Sequence, residues 1–468
     1  MWKYFSNLSK ANNLGLFFLI LTPIAFITGS FTANLFTILL IIFYFLYQEK
    51  NKVKNFINKY KWQITFILGI TFLNIIFSEV KVYSFSKIIP FYRFFFFSIA
   101  IIFILKIISN NLNLYVNLMI IITLFLIIDS FIQLYFGKDI FGFPFNKDYG
   151  RITGPFNDEM IIGNFLFYFG FLSLAFLNYV YSISQFKNIF ILLLLSLTIL
   201  ATGERTPFIS LFYFYLFIFL FSNKKKLIFF STTLLIILST IIINNSERLS
   251  NKYSIASLPK LTDIDSKTFR EYSSERNVIK KKNISEHKEK NLINKLSPFF
   301  RSNQYIGHYS RAIDIIKQNY FFGSGFKSYR KICGYYETLK QPNQYNTDKN
   351  RRLTCSIHPH NYHLEILSDT GLFGYIVFIS FVIYICYSFF KKKLYKNFSI
   401  CILFCLIMTY IIPFKPTGSF FSTNTAFIFW YLIGHFFYFT SSYSKSSNFR
   451  NFSDKQSVSK NTKNYQID

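Results

Sequence analysis

Residues 31 to 47 read F-T-A-N-L-F-T-I-L-L-I-I-F-Y-F-L-Y, seventeen positions without a charge. Wound as a helix, that length reaches about 25 Å, most of a hydrocarbon core about 30 Å thick. The run has company. Apolar residues make up 52% of the 468 positions, and they gather in runs of 15 to 22, all but one of them uncharged, instead of spreading periodically. Two soluble domains do not pattern this way, so an all-α polytopic membrane protein is expected.

Outward from that run, twelve segments are expected to cross a membrane: 14–29, 31–47, 62–77, 87–108, 112–128, 160–180, 188–202, 207–222, 227–243, 373–390, 398–412 and 424–440. Met1 to Lys10 is basic and 14–29 resembles the core of a signal peptide, but a second apolar run follows at once, so the first span is expected to be retained. Alternate loops are rich in lysine: Lys50, Lys52, Lys54, Lys59 and Lys61, then Lys106, Lys187, Lys224 to Lys226, and Lys391 to Lys393 with Lys396. The short-loop charge bias places these loops, and both termini, in the cytoplasm. The division expected is 1–243 with nine spans, an outer loop over 244–372, three spans over 373–440, and a polar cytoplasmic tail over 441–468.

Arginine is scarce, 12 against 39 lysines, and its placement is one-sided. Arg93 falls in the outer half of the fourth span, Arg151 in the outer loop before the sixth, and Arg205 at the outer end of the seventh. Eight more, among them Arg311 and Arg330, lie between Asn244 and His360. Guanidinium grips phosphate with two parallel donors, which ammonium cannot do. A phosphate-bearing ligand on the outer face explains the asymmetry; plain surface charge is the alternative. The 244–360 segment carries 22 Lys and Arg against 10 Asp and Glu, and is too long for its charge to report topology. Within it, Tyr309 to Asn319 is expected to be a short helix, broken by Gly323 and Gly325.

That loop closes on C-S-I-H-P-H-N-Y-H-L-E-I-L-S-D-T-G-L-F-G, Cys355 to Gly374, with three of the six histidines. Pro359 suits the first turn of a helix and Gly371 the position past its end, which would put His360 and His363 on one helical face. A metal held by His358, His360, His363 and Glu365 is an alternative, although Pro359 restricts how the first two could converge. Cys333 and Cys355 are the cysteines of the outer segment and are expected to join on an oxidising face; Cys386, Cys401 and Cys405 fall within spans.

His360-Asn361, nine residues, Gly371, two residues, Gly374 resembles the H-N-x9-G-x-x-G signature of the O-antigen ligase and O-antigen polymerase superfamily of bacterial inner-membrane glycosyltransferases. R-I-T-G-P-F at Arg151 to Phe156, T-G-E-R-T at Thr202 to Thr206, and G-S-G-F-K-S-Y-R at Gly323 to Arg330 are similar to further motifs of that family. The resemblance implies a metal-independent membrane glycosyltransferase without cofactor, and a bacterial inner-membrane location with the large loop in the periplasm. The implied donor is an undecaprenyl-diphosphate-linked glycan, and the acceptor is lipid A core for a ligase, a second lipid-linked glycan for a polymerase, or a Ser or Thr hydroxyl for a protein-glycosylating branch. Membrane lipids surround it, and no nucleic-acid partner is implied. Carried over by motif, His360, Arg205 and Arg311 are the catalytic set, although Ile315 stands where the family's R-x-x-x-L has leucine. Arg151, Arg330, Arg93 and Asn361 are substrate-binding candidates. An aromatic residue is commoner at the position of His363.

The chemistry matches those residue types. A sugar hydroxyl attacking an anomeric carbon must lose a proton, which an imidazole accepts near neutral pH. The departing diphosphate gathers charge that fixed guanidiniums can meet without reorganising. The bland alternative for His360 is a helix-capping or packing role. A transporter of lipid-linked glycans is the rival outside enzymology, but its site would sit near mid-membrane between matching halves, and no internal repeat is visible.

Overall fold

The computed structural model describes residues 2–48, 50–146, 150–157, 159, 161–253, 304–333 and 356–461. These residues form a helical bundle: α1 Trp2–Ile27, α2 Ser30–Tyr47, α3 Lys50–Phe77, α4 Lys81–Phe91, α5 Arg93–Ile107, α6 Leu112–Phe136, α7 Ile162–Tyr181, α8 Gln185–Thr202, α9 Arg205–Phe221, α10 Lys225–Asn245, α11 Glu247–Tyr253, α12 Gln304–Gln318, α13 Tyr362–Lys391, α14 Phe398–Ile411 and α15 Thr423–Asn461. No β-strand forms among the described residues, which hold two isolated bridges near Gly150 and Lys138.

Each of the twelve expected apolar segments falls on one of these helices, the fourth on α4 and α5 together. Among the described residues, eight helical stretches are long and apolar enough to cross a membrane, while Asn13–Ile27, Arg205–Phe221 and Phe398–Ile411 are apolar but shorter. Their surroundings explain why apolarity runs around the whole helix. Trp62, Phe66, Phe72 and Phe77 of α3 are exposed, as are Phe229, Ile236 and Ile241 of α10, an arrangement that water would not tolerate and lipid does. By contrast α14 is buried at nearly every position, from Phe398 through Tyr410. Its 14 residues reach only about 21 Å, so the chain turns within the protein, and the loop 412–422 carries it on to α15. Irregular backbone at such a place is stable only where protein groups satisfy it.

Two sequence expectations shift. Arg205 does not end the seventh span: Gly203, with φ of 76°, closes α8, Glu204 fills the gap, and Arg205 is the first residue of α9. The 304–318 helix begins five residues earlier than expected. Gly323 and Gly325 do break it, with φ of 74° and 120°.

Candidate functional site

The helix of the histidine motif starts later than Pro359. Asn361 is its N-cap, its Oδ1 accepting the Leu364 N–H at 3.1 Å, because a side-chain amide oxygen satisfies an orphan helix donor that proline cannot. His360 therefore precedes the helix, in left-handed backbone at φ 55°. It does not share a face with His363. The His363 Nε2–H donates to the Ile411 carbonyl at 2.6 Å, and its Nδ1 then accepts from the Tyr375 hydroxyl at 2.9 Å, so both ring nitrogens are engaged away from His360. Glu365 is likewise turned inward, accepting from the Ser419 hydroxyl and, at 2.6 Å, from the Phe420 N–H. The four ligands of the metal alternative thus do not converge.

Gly371 kinks α13 instead of ending it, at φ 68° and ψ −172°. The kink is a docking point. Backbone 320–325 lies against 368–373, with Ser324 N donating to Ser368 O at 2.9 Å, Gly325 N to Asp369 O at 3.0 Å and Leu372 N to Tyr320 O at 2.8 Å. A Cβ on Gly371 would sit 2.3 Å from the Gly323 nitrogen, and one on Gly323 would sit 2.4 Å from the Gly371 nitrogen, so only two glycines allow this approach. The Asp369 carboxylate then accepts the Tyr329 N–H at 2.9 Å, fixing the turn that carries Arg330.

Three imidazoles meet at the turn before α13. Ring centroids of His358 and His360 are 4.2 Å apart, and His308, projecting from α12, lies 5.3 Å from His360. His358 and His308 are buried and His360 is half-buried. Burial, reinforced by His360 beside it, pulls His358 down to about 3; burial and then His308 pull His360 below its ordinary 6.5. Both therefore stand neutral at pH 7. Arg311 is one turn beyond His308 on α12, 3.9 Å from Asp314, and Arg330 is exposed nearby, its charge also acting against protonation of His358. Lys327 reaches the Phe421 carbonyl at 3.1 Å and senses Arg330, Glu365, Lys87 and Arg93.

Arg93 is engaged structurally. Its guanidinium donates to the Pro90 carbonyl at 2.6 Å and to Asn34 Oδ1 at 2.7 Å, and lies 4.4 Å from the centroid of the Phe94 ring. It closes the break between α4 and α5.

A second charged group forms where α8 turns into α9. Residues 150–152 lie against that turn, with Ile152 N donating to Thr202 O at 3.1 Å. This brings Arg151 beside Glu204, whose Oε1 accepts the Gly163 N–H at 2.7 Å. Burial raises the Glu204 carboxyl to about 8, against the opposing pull of that hydrogen bond and of Arg151. From α11, Arg248 donates to the carbonyls of Ala201 at 2.8 Å and Gly150 at 3.2 Å. The Tyr253 hydroxyl follows at 3.2 Å from Leu200 O, its phenol raised by burial and then by Glu204, while Arg248, Arg151 and Arg205 oppose. Arg205 itself is exposed.

The 412–422 loop runs between the His360 turn and α9. On one side Thr417 N donates to His360 O at 2.9 Å, and Asn361 Nδ2 donates to Pro413 O at 2.7 Å. On the other, Tyr213 of α9 donates to Phe414 O at 3.2 Å and Lys415 to Ser210 Oγ at 3.0 Å. The loop is thus bonded at one side to the His360 turn and at the other to α9, five and eight residues into the helix that Arg205 heads. Glu204, His308, Tyr253 and this loop are absent from the sequence-level candidates. Only T-G-E-R-T hinted at any of them, since Glu204 lies inside that motif.

Cys333 is buried and disulfide-bonded; Cys355, its expected partner, lies outside the described residues, as do Arg301, Arg351 and Arg352. Cys386, Cys401 and Cys405 are free thiols.

No curated protein matches the chain. A family model described as O-antigen ligase matches residues 190–379, a span that takes in Arg205, Arg311, Arg330 and His360 and stops short of the 412–422 loop. Over those 190 residues the chain is similar to the O-antigen ligase family, and its bundle includes apolar helices long enough to cross a membrane.

Proposed function

We propose that this chain is a twelve-span protein of the bacterial inner membrane, with both termini in the cytoplasm. In this reading it transfers a glycan from an undecaprenyl-diphosphate carrier to an acceptor hydroxyl at the periplasmic face, as an O-antigen ligase. The observation that carries the proposal is the single loop bonded both to the His360 turn and to the helix headed by Arg205. A proton acceptor and phosphate-gripping groups are then available at one rim.

In this reading the acceptor oxygen bonds to the anomeric carbon as the bond from that carbon to the diphosphate oxygen breaks. The hydroxyl proton passes to the neutral His360 imidazole, and the electron pair leaves with the diphosphate. Arg205, Arg151 and Arg311 meet the charge that gathers there, with Arg330 beside them. Asn361 serves from behind, since its amide is spent on Leu364 N and Pro413 O. The neutral state of His360 at pH 7 suits the part, because an imidazole already protonated could not take the proton.

The test is a reconstituted reaction with a lipid-diphosphate glycan and two acceptors offered side by side, lipid A core and a second lipid-linked repeat, with and without chelator. Elongation of lipid A core is expected, unchanged by chelator. Elongation of the second repeat alone would make the chain a polymerase, and chelator-sensitive transfer would overturn the metal-independent mechanism.

A further inference from the structure

Beyond the family match, the 412–422 loop carries a lysine inside the protein. Lys415 is 4% exposed; its ammonium donates to Ser210 Oγ at 3.0 Å and lies 3.4 Å from the Tyr168 hydroxyl. The titratable groups around it are phenols: Tyr168, with Tyr410 at 5.5 Å between ring centroids and Tyr362 stacked on Tyr410 at 5.0 Å. Among the described residues no carboxylate pairs with it. A buried ammonium without an anion is costly, and a methionine of similar length would fill the same space more favourably. Stability does not account for a lysine here.

The loop on either side of Lys415 accounts for it. Two residues before, Pro413 O receives Asn361 Nδ2; two residues after, Thr417 N holds His360 O. His360 needs that support, since a non-glycine residue at φ 55° persists only where its surroundings over-determine it. We propose that Lys415 is a positioning residue for His360: by anchoring the loop to Ser210 of α9, it fixes the two backbone groups that hold the His360 turn and sets that turn against the helix headed by Arg205. This rests on the glycosyl-transfer reading. In support, burial brings Lys415 down to about 7, so its charge changes within the working range.

The experiment uses the full-length protein in lipid nanodiscs with a lipid-diphosphate glycan and the acceptor that wild type elongates. Lys415→Met is expected to lower kcat about 10- to 100-fold through misplacement of His360, with KM for the donor little changed. Its melting temperature at pH 7 should equal or exceed wild type: the folded lysine gives up its proton near 7 and the unfolded one near 10.5, so burial opposes folding at neutral pH. Lys415→Arg, charged at every working pH, should erase the ionisation near 7 from the pH profile of kcat while the acidic limb due to His360 stays. Ser210→Ala should lower kcat in the same direction and carries the test if neither lysine variant folds. A substrate-free readout separates this inference from the function it rests on. Modification of His360 by diethyl pyrocarbonate should change several-fold in Lys415→Met. Wild-type kcat together with wild-type His360 reactivity in that variant overturns the positioning role. Altered reactivity in a protein that transfers no glycan upholds the positioning role and overturns the transfer reading alone.

Discussion

The histidine turn and the arginine cluster around Glu204 use burial in opposite ways. At the turn, burial acts on bases: His358 falls to about 3 and His360 below its ordinary value, and the imidazoles stay neutral. In the cluster, burial acts on acids: Glu204 rises to about 8 and Tyr253 rises too, which spares the guanidiniums a full complement of anions. In the proposed reaction, one region takes a proton and the other meets negative charge. Desolvation is the largest influence in each region, with neighbouring charges acting beside it.

Removing the proposed base should break that division most severely. His360→Ala is expected to cut transfer by roughly 10²- to 10⁴-fold, the range typical of general-base loss, while membrane insertion stays intact. Full transfer by this variant in cells would leave the turn a packing feature. Because burial lowers His360, the acidic limb of wild-type activity should lie below pH 6.5, and a limb above that value would contradict its environment.

Arg205→Lys tests the other half of the comparison. It keeps the charge and loses the two-pronged grip, and a loss of about 10- to 100-fold is expected, somewhat less than outright removal of a transition-state donor. Turnover at the wild-type rate would reduce Arg205 to surface charge.

Glu204→Gln should have the smallest effect on rate. The amide keeps an acceptor for Gly163 N, so the cost near pH 6 is about 1 kcal/mol or less. Its signature is in stability. Between about pH 4.5 and 8 the folded chain holds a proton on Glu204 that the unfolded chain has released, so wild-type stability falls as pH rises through that window. Melting curves at pH 5 and pH 9 should show the decline in wild type and less of it in the glutamine variant; equal slopes would mean that Glu204 is ionised in the fold.

Gly371 shows how far local sequence carries. A glycine at that place announces a break in the helix, and the backbone there does take φ 68°. What the break is for, the docking of Gly323 to Gly325 from a segment some 45 positions earlier, has no local signature. His363 is the opposite lesson. Spacing alone puts it one turn from His360, but one asparagine side chain moved the helix start, and two distant groups, Ile411 O and the Tyr375 hydroxyl, claimed the ring. Arg93 was legible as a charge in an apolar helix that must find a partner. That the partners are Pro90 O and Asn34 was not.

By itself, then, the sequence determined the helical membrane character, the place of each apolar segment, and the scarce arginines and the His-Asn motif, because bilayer thickness and residue chemistry act on short stretches. Tertiary structure alone decided which imidazoles meet, which carboxyl is stripped of water, and that the 412–422 loop with its buried Lys415 lies between the histidine turn and α9. Those outcomes depend on desolvation and hydrogen bonds between groups hundreds of residues apart, and neither quantity exists until the chain has packed.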